Sequence, residues 1–266
     1  MIAARRLLLD RARSLRWWVL GAVALVVSTT ALYPTVEGNE SFEQLADDLP
    51  EAVVSLFGID SAIGLTSAPG YLQARLFSTL LPVVLVIFGI GLGTRAVAGG
   101  EEDGTLELTL AQPISRRRLV TERYASSAVL IGVLTTVTTV VLVVSAAAVG
   151  ALDGVSVPGL VVACAAGGAL ALLHMSIAFA AGGATGRRAV AVGVASTVAV
   201  AGYLLHGLLG VTDALHALRF ATPWHWYLGR NMLAHGPAFD ALAAPLVVSG
   251  LLMLFGISCF DRRDLR

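Results

Sequence analysis

The side chains that could do chemistry in this chain are concentrated in one acidic stretch. Glu101, Glu102, Asp103 and Glu107 carry its charge, and Leu106 and Leu110 stand four residues apart. On a helix, that spacing places the two leucines on one face. Such a surface suits docking into a groove on a soluble partner, where the leucines fill the groove and the carboxylates meet arginine or lysine. A solvated loop that merely sets membrane topology explains the same residues equally well.

The flanking residues predict where helices end and begin. Gly99 and Gly100 are expected to end the apolar segment before the stretch, and the acids then start a short helix, where the helix dipole favours them. Pro113 is expected to end that helix. Ser115 is expected to cap the next one, with the arginines at 116–118 reaching the membrane surface along their aliphatic stems. The acidic stretch is therefore held between two long apolar segments.

Composition places those apolar segments in a membrane. Of the 266 residues, 56% are apolar and 14% are charged, whereas soluble domains are about half apolar and about a quarter charged. A helix needs about 20 apolar residues to cross the hydrocarbon core, and isolated strands would leave backbone groups unsatisfied there. Six stretches qualify and predict an all-α membrane protein: 17–35, 75–98, 119–150, 158–184, 188–211 and 241–260.

The arginine distribution predicts the orientation. All 18 basic residues are arginine, and 15 of them fall on one side of the predicted spans together with both termini. The first loop on the other side, 36–70, has seven acidic residues and no arginine. Because cytoplasmic loops are enriched in basic residues, we expect cytoplasmic termini and a cytoplasmic acidic stretch in a cell-membrane protein. The net charge of zero gives no reason to expect nucleic acid as a partner.

Two features of the predicted outer side have two interpretations each. Apolar residues between 42 and 57 recur at near-helical spacing, which predicts an amphipathic helix on the outer leaflet or a loop packed on the spans. The second feature is an aromatic cluster, which is typical of an anchor at the water–lipid boundary and is alternatively an outer substrate gate. Its three aromatic residues are Trp224, Trp226 and Tyr227, and the gate interpretation also includes Pro223.

Small residues within the spans predict close helix packing rather than ligand contacts. The glycines concerned are Gly89, Gly91, Gly93, Gly167 and Gly168. Cys164 and Cys259 lie far apart in apolar stretches and are expected to be free thiols. No metal site is predicted, because no Cys or His pair has the spacing of metal ligands. No catalytic residue is predicted either.

Residues 101–116, which begin Glu-Glu-Asp-Gly-Thr-Leu-Glu-Leu and end Gln-Pro-Ile-Ser-Arg, resemble the signature of ABC type-2 permeases. These are the membrane subunits of ATP-driven exporters. The ending Phe-Asp-Arg-Arg-Asp-Leu, at 260–265, is similar to that family's usual tail. The resemblance covers the whole chain and implies one permease domain, 1–266. It further implies an N-terminal interfacial helix near 4–16, a cytoplasmic coupling helix and an outer re-entrant segment, 212–240, before the last span.

The resemblance also implies roles for single residues. A coupling helix that touches the ATPase is implied for Glu101, Glu102, Gly104, Thr105, Leu106 and Glu107. The exit of that helix is implied to be shaped by Pro113, Ser115 and Arg116. The activity implied is efflux of an apolar or amphipathic substrate.

The ATPase itself is expected to be another chain. A P-loop needs a lysine to hold the β- and γ-phosphates, and this sequence contains no lysine. ATP and Mg²⁺ are therefore expected to bind a separate P-loop ATPase subunit, with no cofactor in this chain. Six spans are half the usual complement of such a pathway, which implies a second permease copy, either identical or closely homologous.

Three other classes of function remain as alternatives. An intramembrane protease is suggested by the paired Glu101 and Glu102, but the arginine that such a motif requires is missing. A proton-coupled secondary transporter needs ionisable groups at membrane depth, and only His174 and His206 stand there. A histidine bonded to the backbone of a neighbouring helix explains each of them better. A membrane protein of immunity or assembly would keep the same fold without transport.

Overall fold

The computed structural model describes residues 2–39, 64, 66–102, 104, 115–211 and 222–263. Every regular element within these ranges is helical. The long helices are α1 (Ile2–Ala31), α3 (Leu81–Ala96), α5 (Arg116–Ala148), α6 (Val157–Thr185), α7 (Arg188–Val211) and α10 (Asp240–Arg262). The short ones are α2 (Ala68–Leu72), α4 (Ala98–Glu102), α8 (Pro223–Leu228) and α9 (Met232–His235). A 3₁₀ turn, Tyr33–Thr35, follows α1, and a π-helical segment, Gln73–Leu80, joins α2 to α3.

The prediction of six spans is confirmed. Among the described residues, six helical segments are long and apolar enough to cross a membrane. Five of them lie within a few residues of the predicted ranges. The second differs most: it runs as one helical segment over Ala68–Ala96, because α2 and the π-helical segment extend it upstream of the predicted start at 75.

Helix α6 forms the centre of the bundle. It contacts α3, α5, α7 and α10 along its length and α8 and α9 near its start. The closest approach is to α3, where a Cβ on Gly89 or Gly93 would overlap the carbonyl oxygens of Ala171 and Met175 respectively. Because the contacting residues increase by four in number on both helices, α3 and α6 run parallel. Small residues thus allow the two backbones to touch, which is how helices associate in lipid.

Four of the five glycines pack as predicted. Besides the two on α3, Gly167 lies against the ring of Tyr227 and Gly168 against the side chain of Thr135. The prediction is wrong for Gly91, which is exposed and where an added Cβ would meet nothing within 4 Å. Its place on the helix turns it away from α6.

Helix α1 differs from the expected arrangement. Residues 4–16, predicted as a separate interfacial helix, are helical but continue without a break into the first span. At a rise of about 1.5 Å per residue the helix is roughly 45 Å long, which exceeds the hydrocarbon core of about 30 Å. Its excess length extends beyond the core.

The end of the second span also differs from the prediction. The chain leaves helical geometry at Val97, and Gly99 and Gly100 lie buried within α4 instead of ending α3. Glu101 and Glu102 are the last residues of α4 rather than the first of a helix, so the dipole of α4 does not favour them. Their stabilisation comes from other helices.

The bundle has two distinct ends. We call the one that carries Arg95, Arg116, Arg188 and Arg263 the arginine-rich end and the other the opposite end. At the opposite end the Tyr71 hydroxyl donates to the carbonyl of Thr29 at 2.8 Å, which joins α2 to α1. Between the ends, the outer helices expose large apolar side chains, as expected for contact with lipid. Examples are Leu20, Val133, Val200 and Leu251.

Candidate functional site

An ion pair at the arginine-rich end joins Glu101, at the end of α4, to Arg263, directly after α10. The Glu101 side chain is 10% exposed and that of Arg263 is 22% exposed. Salt screens so enclosed a pair only weakly, and loss of either partner leaves the other charge desolvated. The pair therefore fastens the start of the acidic stretch to the end of the last span.

Glu102 is held by a different helix. Its Oε1 accepts the backbone N–H of Arg188, the first residue of α7, at 2.8 Å. A carboxylate at a helix N-terminus satisfies an otherwise unpaired donor and is favoured by the helix dipole. The two acids of α4 are thus stabilised by α10 and α7.

The far end of the stretch returns to the same place. Arg116 Nη1 donates to the backbone carbonyl of Arg263 at 3.1 Å. Arg117, more exposed, forms an ion pair with Asp261 of α10 at 2.8 Å. Both ends of residues 101–116 are consequently attached to residues 261–263, where α10 ends.

The start of α5 confirms the predicted cap. The Ser115 hydroxyl accepts the backbone N–H of Arg118 at 3.4 Å, which is the predicted cap. Arg118 pairs with Glu122 at 3.0 Å on the outside of α5. Arg123, further along α5, is buried and donates from Nη1 to the carbonyl of Ala96 at 3.2 Å. It therefore ties α5 to the last residue of α3.

Gly186 makes room for Arg263. It lies in the turn between α6 and α7 at a φ of +68°, a left-handed conformation that favours glycine. A Cβ there would overlap the guanidinium of Arg263. Arg263 accordingly sits where α4, the turn between α6 and α7, and α10 meet.

The remaining predicted coupling residues are described only in part. Gly104 is exposed at a φ of +66°. Thr105, Leu106, Glu107 and Pro113 lie outside the described residues. The structure thus brings together the two ends of the predicted coupling segment.

Sequence reasoning did not assign Arg188, Asp261 or Arg263 to this site. The signal that could have found two of them is the Asp-Arg-Arg run at 261–263, which belongs to the tail already noted for its resemblance to the permeases. Its role becomes visible only when the fold places it beside residues far away in the chain.

The sequence matches the family described as ABC-2 family transporter protein over residues 2–265, nearly its whole length. The chain belongs to this family. It is therefore a multi-pass membrane permease subunit of an ABC transporter, whose family implies an ATPase partner, and not itself a catalytic enzyme. No curated protein matches the sequence.

At the opposite end of the permease, Trp224 of α8 lies inside the bundle rather than at a lipid boundary. It is 3% exposed. Its Nε1 donates to the carbonyl of Ala199 on α7 at 2.9 Å, and its ring meets that of Tyr203 edge-on at 4.9 Å. The boundary-anchor interpretation is wrong for this residue, because its polar atom is satisfied by α7 rather than by water.

Tyr227 of the permease is also buried, at 5% exposure, whereas Pro223 and Trp226 are half-buried. Burial raises the pKa of Tyr227 well above its ordinary value, with a smaller contribution from Cys164, so the phenol stays protonated. Among the described residues its hydroxyl has no hydrogen-bond partner, and neither has that of Thr135. The two hydroxyls lie on neighbouring faces of α6, beside its paired glycines.

The intramembrane histidines of the permease differ from expectation in one respect. His174 is fully buried, and its Nδ1 lies 2.8 Å from the carbonyl of Leu170. That carbonyl belongs to its own helix, not to a neighbouring one. His206 is 8% exposed, with its ring 5.8 Å from that of His225. Cys164 and Cys259 are free, as predicted.

Proposed function

We propose that this permease exports an apolar or amphipathic substrate and is driven by a separate P-loop ATPase that docks on residues 101–116. The observation that carries the proposal is that both ends of this segment are braced on Arg263, one through Glu101 and one through Arg116. A loop that only set topology would need no such bracing. A segment that receives a push from a partner does need it, because an unbraced loop would bend rather than move the helices.

In this proposal the residues of the segment have two roles: some hold its ends to the bundle and others contact the ATPase. Glu101, Glu102, Ser115 and Arg116 hold its ends to the bundle. In this proposal the ATPase is touched by the part between those ends, and Pro113 shapes the return to α5. The touching residues are Gly104, Thr105, Leu106 and Glu107.

The rest of the transporter follows from the same proposal. ATP and Mg²⁺ bind the ATPase, since this chain has no lysine with which to build a P-loop. The arginine-rich end and both termini face the cytoplasm of a cell-membrane protein. A second permease copy completes the pathway. Pro223, Trp224, Trp226 and Tyr227 form an outer gate, and the buried hydroxyl of Tyr227 supports a role beyond packing.

The proposed mechanism is a rigid-body one. ATP binding closes two ATPase subunits, and their motion displaces the two coupling segments. The attached helices then shift together and open the central path outward. Trp224 and Tyr227, packed between α6 and α7, move as α7 moves and release the outer end.

The test uses charge reversal within the segment. Glu107→Lys should lower binding of the ATPase at least about tenfold, because its carboxylate would meet a basic residue of the partner. Glu37→Lys is the matched control: it is an exposed acid at the opposite end and should leave binding unchanged. Affinity purification of tagged permease with its ATPase measures both. Equal recovery of ATPase with the wild type and the Glu107 variant would refute the docking role, provided that the membranes contain equal amounts of permease.

A further inference from the structure

We propose that Arg263 is a positioning residue that transmits movement of the coupling segment to the last span, α10. The inference rests on the proposed function, in which an ATPase displaces residues 101–116. The question is which helices move when the segment is displaced. By covalent connection alone, the segment moves only α3, through α4, and α5.

The contacts of Arg263 add a third route. Its guanidinium pairs with Glu101 at the start of the segment, and its backbone carbonyl accepts Arg116 at the end. One residue therefore holds both ends, and it directly follows α10. Any motion of the segment that keeps these bonds carries the end of α10 with it.

A fourth helix is connected through Glu102. Because Glu102 accepts the first N–H of α7, the last turn of α4 is joined to α7 as well as to α10. These two helices expose large apolar faces and bury little of their length inside the bundle. Both helices lie at the outside of the bundle, whereas the central α6 is surrounded by neighbours.

The site is shaped for this arginine. Gly186 leaves the space that the guanidinium occupies, and a larger residue would displace it. The neighbouring Arg262 is exposed and lies outside this contact. Arg262 and Arg263 thus form a natural matched pair, with the same charge and adjacent positions but only one joined to Glu101.

The chain contains its own reporter for the test. Cys259 is a free, partly exposed thiol on α10 near Arg263, and Cys164 can be removed by Cys164→Ala. The permease is co-purified with its ATPase in membranes, and labelling of Cys259 by a maleimide is timed with and without a non-hydrolysable ATP analogue. We expect the nucleotide to change the labelling rate about fivefold or more. Arg263→Gln should remove this change while the ATPase stays bound, and Arg262→Gln should keep it.

A charge exchange separates transmission from simple stabilisation. Glu101→Arg combined with Arg263→Glu restores the pair and should restore the nucleotide-dependent change. Two results would overturn the transmitting role of Arg263 and leave the proposed function standing. In one, the nucleotide still changes the labelling rate of Cys259 in Arg263→Gln. In the other, the nucleotide does not change that rate in the Cys164→Ala parent permease, although the ATPase is bound. If the ATPase does not bind the parent at all, the proposed function fails instead. Should Arg263→Gln not insert, failure of the exchanged pair to recover the change would also overturn that role.

Discussion

Single atoms decide how closely α3 lies against α6. A Cβ on Gly93 would overlap the carbonyl oxygen of Met175, so the two backbones are in contact there. Gly91, two residues earlier on the same helix, faces open space. The two positions have the same residue type and lie two residues apart on the same helix. They differ in the direction in which a Cβ would point.

We therefore expect Gly93→Ala to lower the melting temperature of the purified permease, because the helices must separate to admit the methyl group. Overpacking of this kind costs about 1–3 kcal/mol. Gly91→Ala should be neutral or slightly stabilising, since alanine is a better helix former than glycine. Thermal unfolding in detergent measures both. Equal melting temperatures for the two variants would contradict the described packing of α3 on α6.

At this scale the sequence shows which residue types are present but not which ones meet. Glu101 stands in a run of acids, and nothing near it in the sequence indicates its pairing with Arg263, 162 residues away in the chain. Arg123 follows the arginines at 116–118 closely in the sequence, yet it is buried and donates to the carbonyl of Ala96. Such pairings depend on the fold as a whole, and no local pattern encodes them.

At the scale of elements, the spans were predictable because the bilayer sets their length. The fifth was predicted as 188–211 and is Arg188–Val211. Departures from regular helix were not predictable in the same way. The π-helical segment at Gln73–Leu80 precedes Pro82, which cannot donate a backbone hydrogen bond, but many helices with proline have no such segment. The break at Val97 likewise carries no signal of its own.

The short helix α8 offers a test at this scale. Trp224 holds it to α7 through the carbonyl of Ala199 and the ring of Tyr203. Trp224→Ala removes both contacts, and we expect amide hydrogen exchange of residues 223–235 to rise at least about tenfold, which corresponds to about 1.4 kcal/mol of local stability. Val200→Ala, on the exposed face of α7 next to Ala199, should leave that exchange unchanged. Unaltered protection in the Trp224 variant would show that α8 is held by other contacts.

At the scale of the whole molecule, the permease is organised around one buried helix and two unlike ends. α6 contacts most of the other helices, and the outer helices present apolar faces to lipid. The arginine-rich end holds ionic contacts among α4, α5, α7 and α10, whereas at the opposite end α8 and α9 pack against α6. In the proposed function, the arginine-rich end receives the force from the ATPase and the opposite end opens.

If residues 101–116 meet a separate ATPase in the cytoplasm, photo-crosslinking from Thr105 will capture that contact. A photoreactive amino acid at this position, introduced in cells that contain the whole transporter, should form an adduct with the P-loop ATPase, identified by mass spectrometry. The same amino acid at Glu37 should form none. An ATPase adduct from Glu37 but not from Thr105, or reaction of Thr105→Cys with a membrane-impermeant reagent added outside intact cells, would show that the segment does not dock on a cytoplasmic ATPase.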